Sequence, residues 1–543
     1  MSKTHILTDY IQNQRSLMRI IEHSIREHWD DTAYTNYGTS TDFTYAQCAK
    51  EFARLHSFFQ SQQLKRGDRI AICDKNSAQW AISFMAVLTY GAVAVPILHD
   101  FNGEQIRNII GHCEAKLLIT SSQILKKMEA TMGDKIGHAV TIDITTIGTI
   151  DYDMPFAKAD VHYFDDVFDD LAMLSYTSGS TGHSKGVMIP YRAIWSNTAF
   201  ADEKLGLAQR SNILCLLPMA HMYGFAFEFM YAFCIGCHVT YLTKAPSPSV
   251  LLKAFAEVRP AIVIAVPLII EKIVQGRIFP AIEKPHIKQL LRVPILNDII
   301  YSKIRRRLLG VFGGDAYEVI VGGAAFNTEV EAFLRRIRFP YTVGYGMTEC
   351  APIICYRDWQ SFAQGSCGEA APRMEVRILS DDPQHKEGEI VTRGVNVMLG
   401  YYKNDVATAE AIDEEGWLHT GDLGTMDSNG NVFIRGRAKN MLLGANGQNI
   451  YPEEIEEKLV GHALVDECVV VQREQKLVGL VYTSDDTLRS HGMTRDDFNS
   501  QLDRYRRHVN QLLPSFYQLS ALESRDEPFE KTPKRNIKRF LYT

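Results

Sequence analysis

A chain of 543 residues, 46% hydrophobic and 22% charged, holds enough apolar material for several cores, and its length suggests about three to four structural units. Its 58 lysines and arginines against 64 aspartates and glutamates leave a formal charge of -6. No global excess of positive charge favours nucleic acid, so any anion has to be bound locally.

The first dozen residues carry no sustained apolar stretch and no small-residue cleavage site, so no secretory signal is expected and a cytoplasmic protein is. Residues 69–73 read as a strand, 76–90 as a helix, and 93–97 and 116–120 as further strands, an alternation that implies a parallel sheet covered by helices. Two more strands are expected at 171–176 and 186–190. Between them lies Tyr176-Thr-Ser-Gly-Ser-Thr-Gly-His-Ser-Lys-Gly186. Its glycines let backbone amides approach an anion, its hydroxyls at Thr177, Ser178, Ser180 and Thr181 donate hydrogen bonds, and Lys185 adds a full charge. A Walker-type loop would place the lysine after a glycine and at the start of a helix, so this is a different phosphate grip. Apolar runs at 212–217, 261–266 and 318–321 continue the sheet pattern. The 261–270 run is broken by Pro267 and is too short to span a bilayer. His221 stands in an apolar stretch, followed by Tyr223, Phe225, Phe227 and Phe229, which could line an apolar tunnel or fill a core. The 10 cysteines are scattered. Cys234 and Cys237 have metal-like spacing without a second pair, so buried small hydrophobes are expected there.

Residues 286–310 mix apolar and basic side chains around Pro294. A solvated helix face is the first expectation and peripheral membrane contact the second. Three short clusters follow: small residues at 321–326 against which a flat ring could lie, an aromatic, a hydroxyl and a carboxylate within 344–349, and Asp422 followed by Arg437. Each alone is a weak signal, but together they describe a nucleotide. From about residue 440 a small α+β unit is expected, behind a polar, glycine-bearing junction at 434–440.

The ordered set YTSGSTGHSKG, GYGMTE, GWLHTGDLG, GRAKN and NGQNIYPEEIE resembles the adenylate-forming acyl-CoA synthetases, from about Asp68 to the carboxyl terminus. Residues 266–272, the basic stretch around Arg305 and the ending 537–541 resemble the long-chain fatty acyl type in particular. The resemblance implies an α/β fold: a large N-terminal AMP-binding domain (1–437) of parallel and mixed sheets covered by helices, and a small mobile α+β C-terminal domain (438–543). It implies ATP, Mg2+ and CoA as cofactors and cosubstrates, and a fatty acid as substrate. The phosphates would be held by Thr177, Ser178, Gly179, Ser180, Thr181, Gly182 and Lys185. Adenine would stack on Tyr345 beside Gly323, Ala324 and Ala325, with Gly346 and Met347 in the same binding stretch. Thr348 and Glu349 would place the α-phosphate and the metal ion, Asp422 and Arg437 the ribose. His221 would border the acyl carboxylate, Lys439 would be the hinge, and Gly447 would line the CoA tunnel.

One position departs from the family. The usual ending places a lysine where this chain has Asn536, a residue that donates hydrogen bonds but carries no charge. Two alternatives to a CoA ligase accompany the main expectation: a fatty acyl-AMP ligase that loads an acyl carrier protein and, because of Asn536, a nucleotide and fatty-acid binding protein impaired in adenylation.

Overall fold

The computed structural model describes residues 15–39, 41–132, 140–148, 155–177, 184–243, 247–324, 326–443, 449–462, 464–473, 476–514, 517–532 and 537–542. A seven-stranded sheet runs in the order Gly400–Tyr401, Lys185–Pro190, Leu171–Thr177, Val93–Ile97, Arg69–Cys73, Leu117–Thr120 and Val140–Asp143. Its strands from Leu171–Thr177 onward are parallel, while Lys185–Pro190 pairs antiparallel with Leu171–Thr177. The central strands are continuous apolar runs because helices cover both faces. Helix Ala78–Tyr90 is buried nearly all round, starts on Ser77, whose hydroxyl accepts from the Trp80 amide, and ends on left-handed Gly91. The expected start at Asn76 is displaced to the cap, which frees the Asn76 side chain for other partners.

A second sheet holds Asp42–Thr44, Thr32–Asn36, His238–Tyr241 and Asn212–Cys215, and a third is parallel, with Ile262–Ala265, Glu318–Val321 and Tyr341–Val343. An antiparallel sheet follows, built from Met374–Leu379, Gly388–Gly394, Leu418–Met426 and Val432–Arg437. The fold is therefore mixed α/β, as expected. Residues beyond 449 pack helices Pro452–Val460 and Arg495–Leu512 against the strands Glu467–Arg473, Lys476–Tyr482 and Leu519–Arg525. They build a hydrophobic cluster of their own around Ile455, Leu459, Val470 and Phe498.

Three further expectations resolve here. The aromatic run after His221 is a buried π-helix, Phe225–Met230, and its rings fill the core: Phe225 lies 4.8 Å from Phe84, Phe227 5.8 Å from Phe200 and Phe229 6.1 Å from Trp80. They do not line a tunnel. Cys234 and Cys237 are buried thiols, pushed up to about 12 by burial, and among the described residues no His, Cys, Asp and Glu cluster could hold a metal. The basic segment is two helices, Pro285–Leu290 and Pro294–Val311, each opened by a proline where its missing N–H costs nothing. Among the described residues, no helix is long and apolar enough to cross a membrane.

Candidate nucleotide site

Two adjacent strands bring Asp422 and Arg437 together, because the antiparallel register of Leu418–Met426 and Val432–Arg437 sets them directly opposite each other. The Arg437 guanidinium Nε lies 2.7 Å from Asp422 Oδ1, and the Tyr345 hydroxyl donates to Asp422 Oδ2 at 2.6 Å. Asp422 is buried. Burial raises its pKa, and Arg437 and Tyr345 pull in the opposite direction. Burial likewise raises the Tyr345 phenol far above its ordinary range, so it stays a donor to the carboxylate. Gly346 is required where it stands: a Cβ there would meet the Pro352 carbonyl oxygen at 2.2 Å.

A second group is joined to this one through the 344–349 stretch. Glu349 sits buried on a single 3-10 turn, Thr348–Cys350, and accepts the Tyr401 hydroxyl at Oε1, 2.9 Å away. The Lys185 ammonium lies 4.6 Å from the centre of the Tyr401 ring, within cation–π range. Strand Gly400–Tyr401 pairs with Lys185–Pro190, and the Met398 amide donates to the Glu349 carbonyl at 2.8 Å. One phenol thus touches both the lysine of the glycine-rich loop and the carboxylate. Thr177 is the register partner of Lys185, so the two ends of that loop face each other across the sheet. Ser178, Gly179, Ser180, Thr181 and Gly182 lie outside the described residues, as do Ala325, Gly447 and Asn536. Glu349 and Thr348 are hard oxygen donors, which suits Mg2+, an ion that usually takes only one or two protein ligands beside phosphate and water.

His221 lies on a third wall. Its Nδ1 accepts from the Tyr223 amide at 3.4 Å, and the Tyr223 hydroxyl donates to the Ile320 carbonyl at 3.1 Å. The same ring presses on Gly322, where a Cβ would meet Tyr223 Cζ at 3.2 Å. This loop therefore abuts the turn carrying Gly323 and Ala324, both exposed. Two residues that sequence reasoning missed hold the loop. Glu228 is fully buried and accepts from the Leu216 and Leu217 amides at 3.2 and 3.0 Å and from the Cys215 thiol at 3.4 Å. Asn76 accepts from the Met219 amide at 2.9 Å and donates to the Leu217 carbonyl at 2.6 Å. Neither carries a motif, and neither does Tyr401. Lys439 stands in the turn Ala438–Asn440, where the Asn440 side-chain Nδ2 donates to Glu453 Oε1 at 2.6 Å.

The family model described as AMP-binding enzyme matches residues 21–402, and the model described as AMP-binding enzyme C-terminal domain matches residues 439–542. The chain belongs to the AMP-binding enzyme family. This AMP-binding enzyme is similar to the long-chain-fatty-acid–CoA ligase FadD15 of Mycobacterium bovis, 28% identical over 84% of this chain and 80% of that protein. It is nearly as similar to 4-coumarate–CoA ligase 3 of Arabidopsis thaliana, 27% identical over 82% of this chain and 77% of that protein. Its fold is that of the O-succinylbenzoate coenzyme A synthetase MenE of Bacillus subtilis in complex with AMP, with a TM-score of 0.75, 20% identity and 96% and 97% of the two chains covered. The anthranilate CoA ligase AuaEII in complex with anthranoyl-AMP shares it too, with a TM-score of 0.78, 18% identity and 97% and 96% coverage. At the level these likenesses support, the AMP-binding enzyme is an adenylate-forming acid–CoA ligase of the acyl or aryl type.

Proposed function

We propose that this AMP-binding enzyme activates a fatty acid with ATP and transfers the acyl group to CoA. The observation that carries the reading is the continuous array from Arg437 through Asp422 and Tyr345 to Glu349, Tyr401 and Lys185. Such an array offers, within one region, groups suited to the base, the sugar and the phosphates with their metal ion. In the first step a carboxylate oxygen attacks the α-phosphorus and pyrophosphate leaves. In the second the CoA thiol adds to the acyl carbonyl, AMP leaves, and the thiol proton passes to solvent. A carboxylate is repelled by triphosphate, so the first step needs charge neutralised and the reactants held in line. Lys185 would neutralise phosphate charge, Glu349 and Thr348 would hold Mg2+, and His221 would border the acyl carboxylate. Lys439 would act as hinge between a large domain (1–437) and a small one (438–543), with Gly447 on the thiol's path. When bound, Mg2+ would stabilise charge on the phosphate oxygens.

The likeness to a long-chain ligase supports the fatty acid, while the 4-coumarate relative at almost the same identity keeps an aromatic acid as the second reading. AMP release with CoA, measured for straight-chain acids of increasing length and for 4-coumarate, separates them. Highest kcat/KM on a long straight chain is the expected outcome, and preference for 4-coumarate overturns the substrate class. Running the same assay with acyl carrier protein in place of CoA tests the acceptor. Asn536 bears on rate. Replacing one preorganised charged donor costs about 3 to 4 kcal/mol, roughly 100- to 1000-fold, so Asn536→Lys should accelerate pyrophosphate release by up to that factor. A wild-type protein already fast, with the variant unchanged, would show that adenylation is not limited there. Nucleotide binding without pyrophosphate exchange would instead favour a binding protein.

A further inference from the structure

The AMP-binding enzyme carries a net charge of -6, yet residues 284–307 hold seven lysines and arginines and a single aspartate. Helix Pro294–Val311 is tied into the protein along its second half, where Leu308 is buried in a core with Phe255 and Phe312 and Tyr301 and Ile304 pack against that core partly buried. Towards its start, and on the preceding helix Pro285–Leu290, the apolar side chains turn outward: Leu290, Val293, Leu296 and Ile299 are 37% to 47% exposed. Large side chains left so open on consecutive turns are a cost for a free surface, and they lie beside the densest run of positive charge in the chain.

Between these helices and the end of helix Thr328–Arg336 is a surface cavity of about 580 Å3. Lys288, Arg292, Arg336 and Arg338 line it with Asn297 and Tyr301, and Asp298 is its one acid. Among the described residues, none of those four cations has a hydrogen-bond or ion-pair partner. Exposed lysines and arginines often point into water alone, but four converging on one concavity raise the local potential for an anion. Apolar side chains on the rim and unpaired cations in the hollow match the two layers of a bilayer surface, its acyl boundary and its phosphates.

We propose that this helix pair docks the protein on membranes rich in anionic phospholipid, with a lipid phosphate seated among Lys288, Arg292, Arg336 and Arg338. The site is separate from the nucleotide array and does not depend on the acid that is activated. Proximity to an anionic surface is worth about 1 kcal/mol per cation, about fivefold in partition, and is screened by salt.

The test is flotation of the full chain with vesicles of phosphatidylcholine alone and of phosphatidylcholine with phosphatidylglycerol. Binding is expected only to the second, and it should fall as salt rises. Reversing two cations, Arg292→Glu with Arg338→Glu, should lower partition by roughly 25-fold or more. Leu296→Ser with Ile299→Ser should lower it by about tenfold at unchanged charge. Both variants replace exposed side chains, and unchanged ATP-dependent AMP release in the absence of vesicles establishes that they are folded. Equal binding to both vesicle types, or retention of binding by the charge-reversed protein, overturns the proposal. So does calorimetric binding of free glycerol phosphate without vesicle binding, which would make the cavity a site for a soluble phosphate compound.

Discussion

A carboxylate as buried as that of Asp422 is tolerated because two donors reach it, one from a neighbouring strand and one from Tyr345. Removing the charge while keeping the shape isolates that contribution. Asp422→Asn should weaken AMP binding by about 1.5 to 3 kcal/mol, roughly 10- to 150-fold, since hydrogen bonds to charged groups carry about that much. Titration calorimetry with AMP reads it directly, and an unchanged affinity would remove Asp422 from the nucleotide's contacts. At this scale the candidate site was legible where several residue types crowd into a short stretch: Tyr345 and Glu349 belong to one hexapeptide, and Asp422 and Arg437 lie on two strands joined by one connection. Tyr401 was not. A phenol after a glycine has no local signature, and its importance arises only when the strand pairing of Gly400–Tyr401 with Lys185–Pro190 lays it between Lys185 and Glu349.

The π-helix Phe225–Met230 shows why elements differ in legibility. The buried strands were readable because a parallel sheet covered on both faces demands unbroken apolar runs, and each expected strand from 69–73 to 318–321 is present within a few residues of its forecast bounds. A widened helical turn has no such pattern. It depends on where Phe225, Phe227 and Phe229 find aromatic neighbours and on Glu228 reaching the amides of Leu216 and Leu217. Burial pushes the Glu228 carboxyl up to about 8 from an ordinary 4.5. Between those values the folded protein holds a proton that the unfolded chain has lost, so stability declines as pH rises through that window and levels off above about 8. Glu228→Gln removes the titration and leaves one amide poorly matched, at a cost of about 1 to 3 kcal/mol. Thermal melts from pH 5 to pH 9 should give the variant a lower Tm at the acid end and a flatter slope, so that its deficit shrinks as pH rises; a wild-type slope retained in the variant would mean that another group titrates.

At the scale of the whole molecule, the small C-terminal unit rests on the large one through few polar contacts among the described residues. The Thr328 amide donates to Glu457 at 2.6 Å, the Lys458 ammonium donates to the Thr328 hydroxyl at 2.7 Å, and the Tyr451 hydroxyl donates to Glu387 at 2.5 Å. Interfaces of that kind favour relative motion. Glu457→Ala with Lys458→Ala should broaden the distribution of distances between labels on the two units, and a distribution as narrow as wild type would mean that other contacts fix the pose. The existence of such a unit was legible from the change in character near residue 440, because it builds a core of its own. Its pose was not, since a few hydrogen bonds between distant segments leave no trace in either segment alone. The pairing of Thr177 with Lys185 has the opposite character. There the chain leaves the sheet and re-enters it on the same rung, so the gap between the two ends of the loop proposed to grip phosphate has a width set by strand spacing. Both doorposts stand ready beforehand, so the proposed anion site needs no gathering of distant pieces at this threshold.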